Sequence, residues 1–233
     1  MTAASYHESV PAAASPLNQR FIVPEMLDHA PPDVARASLR DLARINRYLG
    51  GYYVLGKLFQ SVAKPDDRFS VLDIGAASGD MGAAIRRRYP RAQVTSLDYK
   101  GDHLAQAADP KVVADAFRLP FRASSFDFVF SSLFLHHFTN DQVVELFRSF
   151  RGLARRAVLA IDLDRGPLAY YFLPHTRWLF GWHDITISDG QISVAAALKQ
   201  DELRTLAMRA GLHGARVRLH RPWSRLSLVA PVA

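Results

Sequence analysis

Cysteine is absent from the 233 residues, which excludes disulfides and thiolate metal sites and fits a reducing, cytoplasmic setting. No apolar run approaches the ~20 residues that a membrane helix needs. The opening stretch, "MTAASYHESVPAAASPLNQ", lacks a basic segment followed by an apolar one. No secretory signal is therefore expected, and the stretch reads as a disordered lead-in. No metal-ligand spacing is apparent. The loop "GAASGDMG" from Gly75 lacks the Gly-Lys-Ser/Thr ending of a P-loop. Counted as a dinucleotide fingerprint, it has Ala77 and Asp80 where the second and third glycines belong, and a carboxylate beside a pyrophosphate would be repulsive.

Hydrophobic residues make up 49% of the chain, enough for a full core. The formal net charge is +7. Its arginines are scattered, as at Arg86 to Arg88, Arg155 and Arg156, and Arg216 to Arg225. The triple arginine at the end of a helical stretch also suits the negative end of a helix dipole. Solvated helix termini therefore explain the charge better than a polyanion site.

Leu39, Leu42, Ile45 and Leu49 recur at helical spacing, Gly50 and Gly51 interrupt, and Tyr53, Leu55, Leu58 and Phe59 continue the pattern. Residues 1–64 thus read as a lead-in and a helical cap distinct from the core, and 65–233 as the main domain. Short apolar strands then alternate with helices. Strands are expected at 70–75, 92–98, 111–116, 125–132 and 156–164, with helices at 79–88, at 101–108 and after a Thr139–Gln142 capping box. That alternation predicts a parallel sheet covered on both faces. Residues 165–198, rich in aromatics, look too irregular for a standard α/β unit. A helix follows to Gly211, then two strands at 215–220 and 223–230 forming a terminal hairpin. The fold class is α/β: a seven-stranded, mostly parallel, Rossmann-like sheet with an antiparallel C-terminal hairpin, an N-terminal helical extension and an aromatic lid insertion.

In an open parallel sheet, ligands bind beyond the carboxyl ends of the strands, so the 75–79 loop lies where a ligand would sit. Asp73, Gly75, Ala77 and Gly79 resemble the acid and Gly-x-Gly-x-Gly of the class I S-adenosylmethionine-dependent methyltransferases, with Ala77 in place of a glycine. "ADAFRLPF" (114–121) and "FDFVFSSLFLHHF" (126–138) resemble that family's third- and fourth-strand motifs, and "SSLF" lacks the Asn/Asp-Pro-Pro-Tyr of base-methylating members. The resemblance implies S-adenosyl-L-methionine as cofactor. Asp73 would order the loop and face the cationic end, and small residues would let the backbone approach. Asp98 would take the ribose hydroxyls, Tyr99 pack on adenine, Asp115 and Ala116 read the adenine edge, and Ser131 or Ser132 sit near the methionine part. Arg47 or Tyr52 would reach its carboxylate. The lid would offer Tyr170, Tyr171, Trp178 and Trp182 to a flat or greasy small-molecule acceptor. His137, then His136 and His183, are the candidate bases for methylating an oxygen or carbon. Alternatives are an RNA methyltransferase, motivated by the charge, or a nonenzymatic protein on the same fold. Nucleic acid is disfavoured as a partner, and a homodimer is left open.

Overall fold

The computed structural model describes residues 17–29 and 32–232; the lead-in expected before residue 17 lies outside them. Strand β1 (Ser70–Ile74), β2 (Gln93–Asp98), β3 (Lys111–Val113), β4 (Phe126–Ser132), β5 (Ala154–Leu163), β6 (Arg216–His220) and β7 (Arg225–Pro231) form one sheet in the order β3-β2-β1-β4-β5-β7-β6. The first five strands run parallel; β7 pairs antiparallel with β5 and with β6. This is the expected seven-stranded architecture with its terminal hairpin.

Period-2 alternation sorts the apolar side chains of each strand onto two faces. Leu72, Ile74, Val129, Val158 and Ala160 face α4 (Asn140–Leu153) and α7 (Gln200–Arg209). Val71, Phe128, Phe130, Leu159 and Ile161 face α2 (Gly51–Gln60) and α3 (Asp80–Arg88). With both faces covered, the central strands read as unbroken apolar runs. Phe59 of α2 is fully buried and meets Phe69, Tyr89, Phe128 and Phe130 at ring-centroid distances of 5.7–6.1 Å. The second N-terminal helix is therefore part of the core, where the sequence suggested a separate cap. Its partner α1 (Pro32–Tyr48) packs on α2 and on the later helix α6 (Asp184–Ala196).

Three expectations shift. β3 stops at Val113, because the Asp115 carboxylate takes the Phe117 N–H at 2.9 Å and turns the chain. Residues 103–106 form only a 3₁₀ turn. Residues 165–198 are regular after all: α5 (Pro167–Phe180) ends at Gly181, whose φ is +63°, and α6 (Asp184–Ala196) follows. The Thr139–Gln142 capping box forms as expected, with both hydrogen bonds present.

Candidate active site

Strand order reverses between β2 and β4, which flank β1, and the crevice opens above their carboxyl ends. The glycine loop leaves β1 there. Gly75 has φ +71°, and a Cβ at this position would lie 2.4 Å from the Phe134 ring, so the loop admits no side chain. Gly79 (φ +73°) precedes α3 in the same left-handed conformation. Ala77 holds φ +46°, a conformation that glycine adopts without strain. Its N–H is fixed by Asp98 Oδ2 at 2.9 Å, while Asp98 Oδ1 accepts from Lys100 N at 3.0 Å. Asp98 thus closes β2 onto the loop and still has acceptor capacity left toward the cavity.

A cavity of about 970 Å³ occupies this crevice. Gly75, Ala77, Asp98, Tyr99, Asp115 and Ala116 all lie on its wall. Asp73 also reaches it, from a side chain only 1% exposed. Burial, then the neighbouring Asp80, push the Asp73 carboxyl well above its ordinary value, against the opposing pull of Arg86. Gly79 and Ser131 are not on the wall; the next residue of β4, Ser132, is, and its buried Oγ has no partner. Asp73 Oδ2 is likewise unpartnered. A bulk-free loop, a carboxylate closing β2 and orphaned polar atoms over β1 and β4 are what a polar nucleoside with an amino-acid tail requires.

The other end of the cavity is built around a 3₁₀ turn, Leu135–His137. Asp162 of β5 takes the Leu135 N–H at 2.9 Å and meets His136 Nδ1 at 2.6 Å. His136 Nε2 faces Glu25 Oε1 at 3.4 Å, and His137 Nδ1 lies 4.0 Å from the same oxygen. The two imidazoles lie against each other, centroids 4.3 Å apart. Burial alone would depress the His136 pKa, yet Asp162 and then Glu25 raise it to about 10. Burial would raise Glu25, but His136 and His137 hold it down to about 2. His136 is thus a buried cation between two carboxylates. The ligating atoms of Glu25, His136 and His137 lie within 4.8 Å of one another, and hydrogen bonds and charge already engage them as an ion-pair network.

The expected aromatic lid is placed differently. Among the described residues, none of Tyr170, Tyr171, Trp178 and Trp182 is on the cavity wall. Trp178 is 84% exposed and Tyr171 is 51% exposed. Tyr170 packs edge-on against Tyr171. Trp182 is buried elsewhere, stacked on Phe180 beneath the Arg44 guanidinium. α5 turns the opposite face inward, so Leu168, Phe172 and Leu173 form the wall. His183 is also outside: it caps α6 through Ile185 N and donates its own N–H to Asp41 at 2.9 Å. Sequence reasoning missed Glu25, Asp162 and Arg225. The last two carried a signal: Asp162 is the one acid of β5, and Arg225 the one charge of β7.

The family profile described as "Methyltransferase domain" matches residues 71–157. A malonyl-[acyl-carrier protein] O-methyltransferase from Xylella fastidiosa (strain M23) is 30% identical over 121 residues, 48% of this chain and 40% of that protein's length. A plantazolicin methyltransferase, solved with a triazolic desmethylPZN analogue and S-adenosylhomocysteine, superposes with a TM-score of 0.67 at 14% identity, covering 89% of this chain and 93% of that one. Human N-acetylserotonin methyltransferase, solved with S-adenosylmethionine, gives a TM-score of 0.60 at 16% identity over 83% of this chain and 54% of that one. Residues 71–157 thus match a methyltransferase domain, and the fold around them is shared with solved methyltransferases.

Proposed function

We propose that the chain methylates an oxygen of a small, largely apolar acceptor, with S-adenosylmethionine as methyl donor. One observation carries this reading: a single cavity joins the glycine-loop crevice to a polar histidine cluster walled by Leu39, Leu42, Leu168, Phe172 and Leu173. Its volume is at the upper end of the ~300–1,000 Å³ usual for small-molecule sites, which suits two molecules side by side. When bound, the cofactor supplies an electrophilic methyl group on a sulfonium.

The residues of this chain then have three tasks. The loop 75–79 and the acids Asp98 and Asp115 hold the nucleoside. The apolar wall excludes water and aligns the acceptor, the larger part of catalysis for a displacement with a good leaving group. His137 takes the proton of the acceptor hydroxyl. His136 cannot, since it already carries a proton at neutral pH. His137 is the more accessible ring, with 30% of its side chain exposed against 4% for His136. Its Nδ1 lies 4.0 Å from Glu25 Oε1. The charge of +7 does not converge on this site: Lys100 and Arg225 are the Lys and Arg residues on its wall among the described residues. That favours a small acceptor over RNA.

The test is transfer of labelled methyl from S-adenosylmethionine to a panel of alkyl phenols, quinols, lipidic alcohols and transfer RNA. Turnover of an apolar hydroxy compound is expected, with His137→Gln lowering kcat by ~10²-fold or more at unchanged S-adenosylhomocysteine affinity. Label appearing in RNA alone would overturn the assignment.

A further inference from the structure

Arg225 opens β7 opposite Leu163, at the carboxyl end of β5, and is 1% exposed. Burying a guanidinium costs several kcal/mol unless an anion compensates it. Here its Nε donates to the Leu49 carbonyl at 3.1 Å and Nη2 to Asn46 Oδ1 at 3.2 Å, both neutral acceptors. Its Nη1 is buried with no partner, and among the described residues Arg225 forms no ion pair. Burial pulls its pKa down to about 10, against the more distant charges of Asp162 and Asp80. Such an orphaned cation on the wall of a cavity is a site waiting for an anion.

The surrounding residues say which anion. Asn46 Nδ2 donates to Asp80 Oδ2 at 3.0 Å, which leaves the amide oxygen to orient the guanidinium. Tyr52 donates to the same Asp80 oxygen at 3.2 Å. Asp80 is the first residue of α3, directly after the glycine loop. A relay of Tyr52, Asp80 and Asn46 therefore ties Arg225 to the cofactor end of the cavity. We propose that Arg225 Nη1 binds the α-carboxylate of the amino-acid tail of S-adenosylmethionine, with Asn46 as its positioning residue. This rests on the cofactor assignment above. It displaces the expectation that Arg47 or Tyr52 would do so: the Tyr52 hydroxyl is committed to Asp80, and Arg47 is exposed, over the Tyr48 ring.

The experiment is calorimetry on the full chain with S-adenosylhomocysteine, its decarboxylated analogue and 5′-methylthioadenosine, which lacks the tail. Wild-type protein should lose about 10- to 100-fold in affinity when the carboxylate is removed, the worth of a charge-assisted hydrogen bond. Arg225→Met should bind S-adenosylhomocysteine weaker by the same factor, bind 5′-methylthioadenosine unchanged, and no longer distinguish the decarboxylated analogue. The thioadenosine arm reports that the variant is folded, and the analogue arm on wild-type protein needs no variant. Equal affinity of wild type for both homocysteine ligands overturns the proposal. So does unchanged S-adenosylhomocysteine affinity in Arg225→Met, which would assign the guanidinium to a carboxylate on the acceptor. Failure of wild type to bind any of the three nucleosides overturns the cofactor reading and this inference with it.

Discussion

Asp162→Asn keeps the shape of the buried carboxylate and removes its charge. In the wild type, one oxygen takes Leu135 N at 2.9 Å and His136 N at 3.3 Å, while the other takes Leu163 N at 2.8 Å and meets His136 Nδ1 at 2.6 Å. An amide offers one acceptor oxygen, so one of those two sets of donors would face an NH₂ group. It also leaves the His136 cation with Glu25 alone, at 3.4 Å. Breaking a buried pair by removing one partner costs ~3–5 kcal/mol. At ~2–4 °C per kcal/mol for a chain of this size, the melting temperature should fall by ~6–20 °C. The pH dependence has a definite sign. The His136 pKa is raised from 6.5 to about 10 on folding, so its contribution is complete below pH 6.5 and fades as pH climbs through 10. Asp162 is held below its ordinary range, so its contribution holds above that range and fails in acid. The gap between wild type and variant should therefore be widest near about pH 5–6 and narrow toward pH 10. Urea unfolding across that range measures it. A melting temperature within ~2 °C of wild type, or a gap that does not close in alkali, would refute the charged-pair reasoning.

Gly75→Ala places a methyl group 2.4 Å from the Phe134 ring at φ +71°. Left-handed strain and overpacking together should cost ~2–5 kcal/mol in urea unfolding and weaken S-adenosylhomocysteine binding. Trp178→Ala removes a side chain that is 84% exposed and should change stability by less than ~0.5 kcal/mol, with kcat/KM unaltered. Phe172→Ala, on the cavity wall, should raise KM for the acceptor and leave nucleoside affinity alone. A drop in kcat/KM for Trp178→Ala without one for Phe172→Ala would return the acceptor to the outer aromatic face.

The sheet was legible because burial on both faces forces continuous apolar strands, and the glycine-loop crevice because its requirements are local. A loop with positive φ at Gly75, Ala77 and Gly79 must be built from small residues, and Asp98 and Asp115 each act within a residue or two of a strand end. The lid was misread because α6 buries polar residues, Thr186, Asp189 and Ser193, and so shows no apolar stripe. Its aromatics misled for the converse reason: Tyr171 and Trp178 are on the solvent side of α5, where a large apolar residue needs no packing role. The polar end of the cavity had no local signature. Glu25 and His136 are 111 residues apart, and His136 and Asp162 are 26 apart, so only the fold makes them neighbours.

That separation in sequence makes the N-terminal segment a component of the site. Arg20 donates to the carbonyls of Ala196 at 2.7 Å and Phe138 at 2.9 Å, and to Asn140 Oδ1 at 2.6 Å. Five residues later, Glu25 meets both histidines, and the Met26 and Leu27 amides are held by the two oxygens of Asp189 at 2.8 and 2.9 Å. The segment is thus fixed on either side of Glu25 by hydrogen bonds to charged groups, the stronger class. Glu25 is held in turn by the Ser193 hydroxyl of α6. The two carboxylates and the His136 cation sum to one negative charge beside His137. Without Glu25, His136 and Asp162 would cancel, and that net charge would vanish. The charge beside the proposed catalytic histidine therefore depends on a residue more than a hundred positions upstream, delivered by the segment that precedes α1.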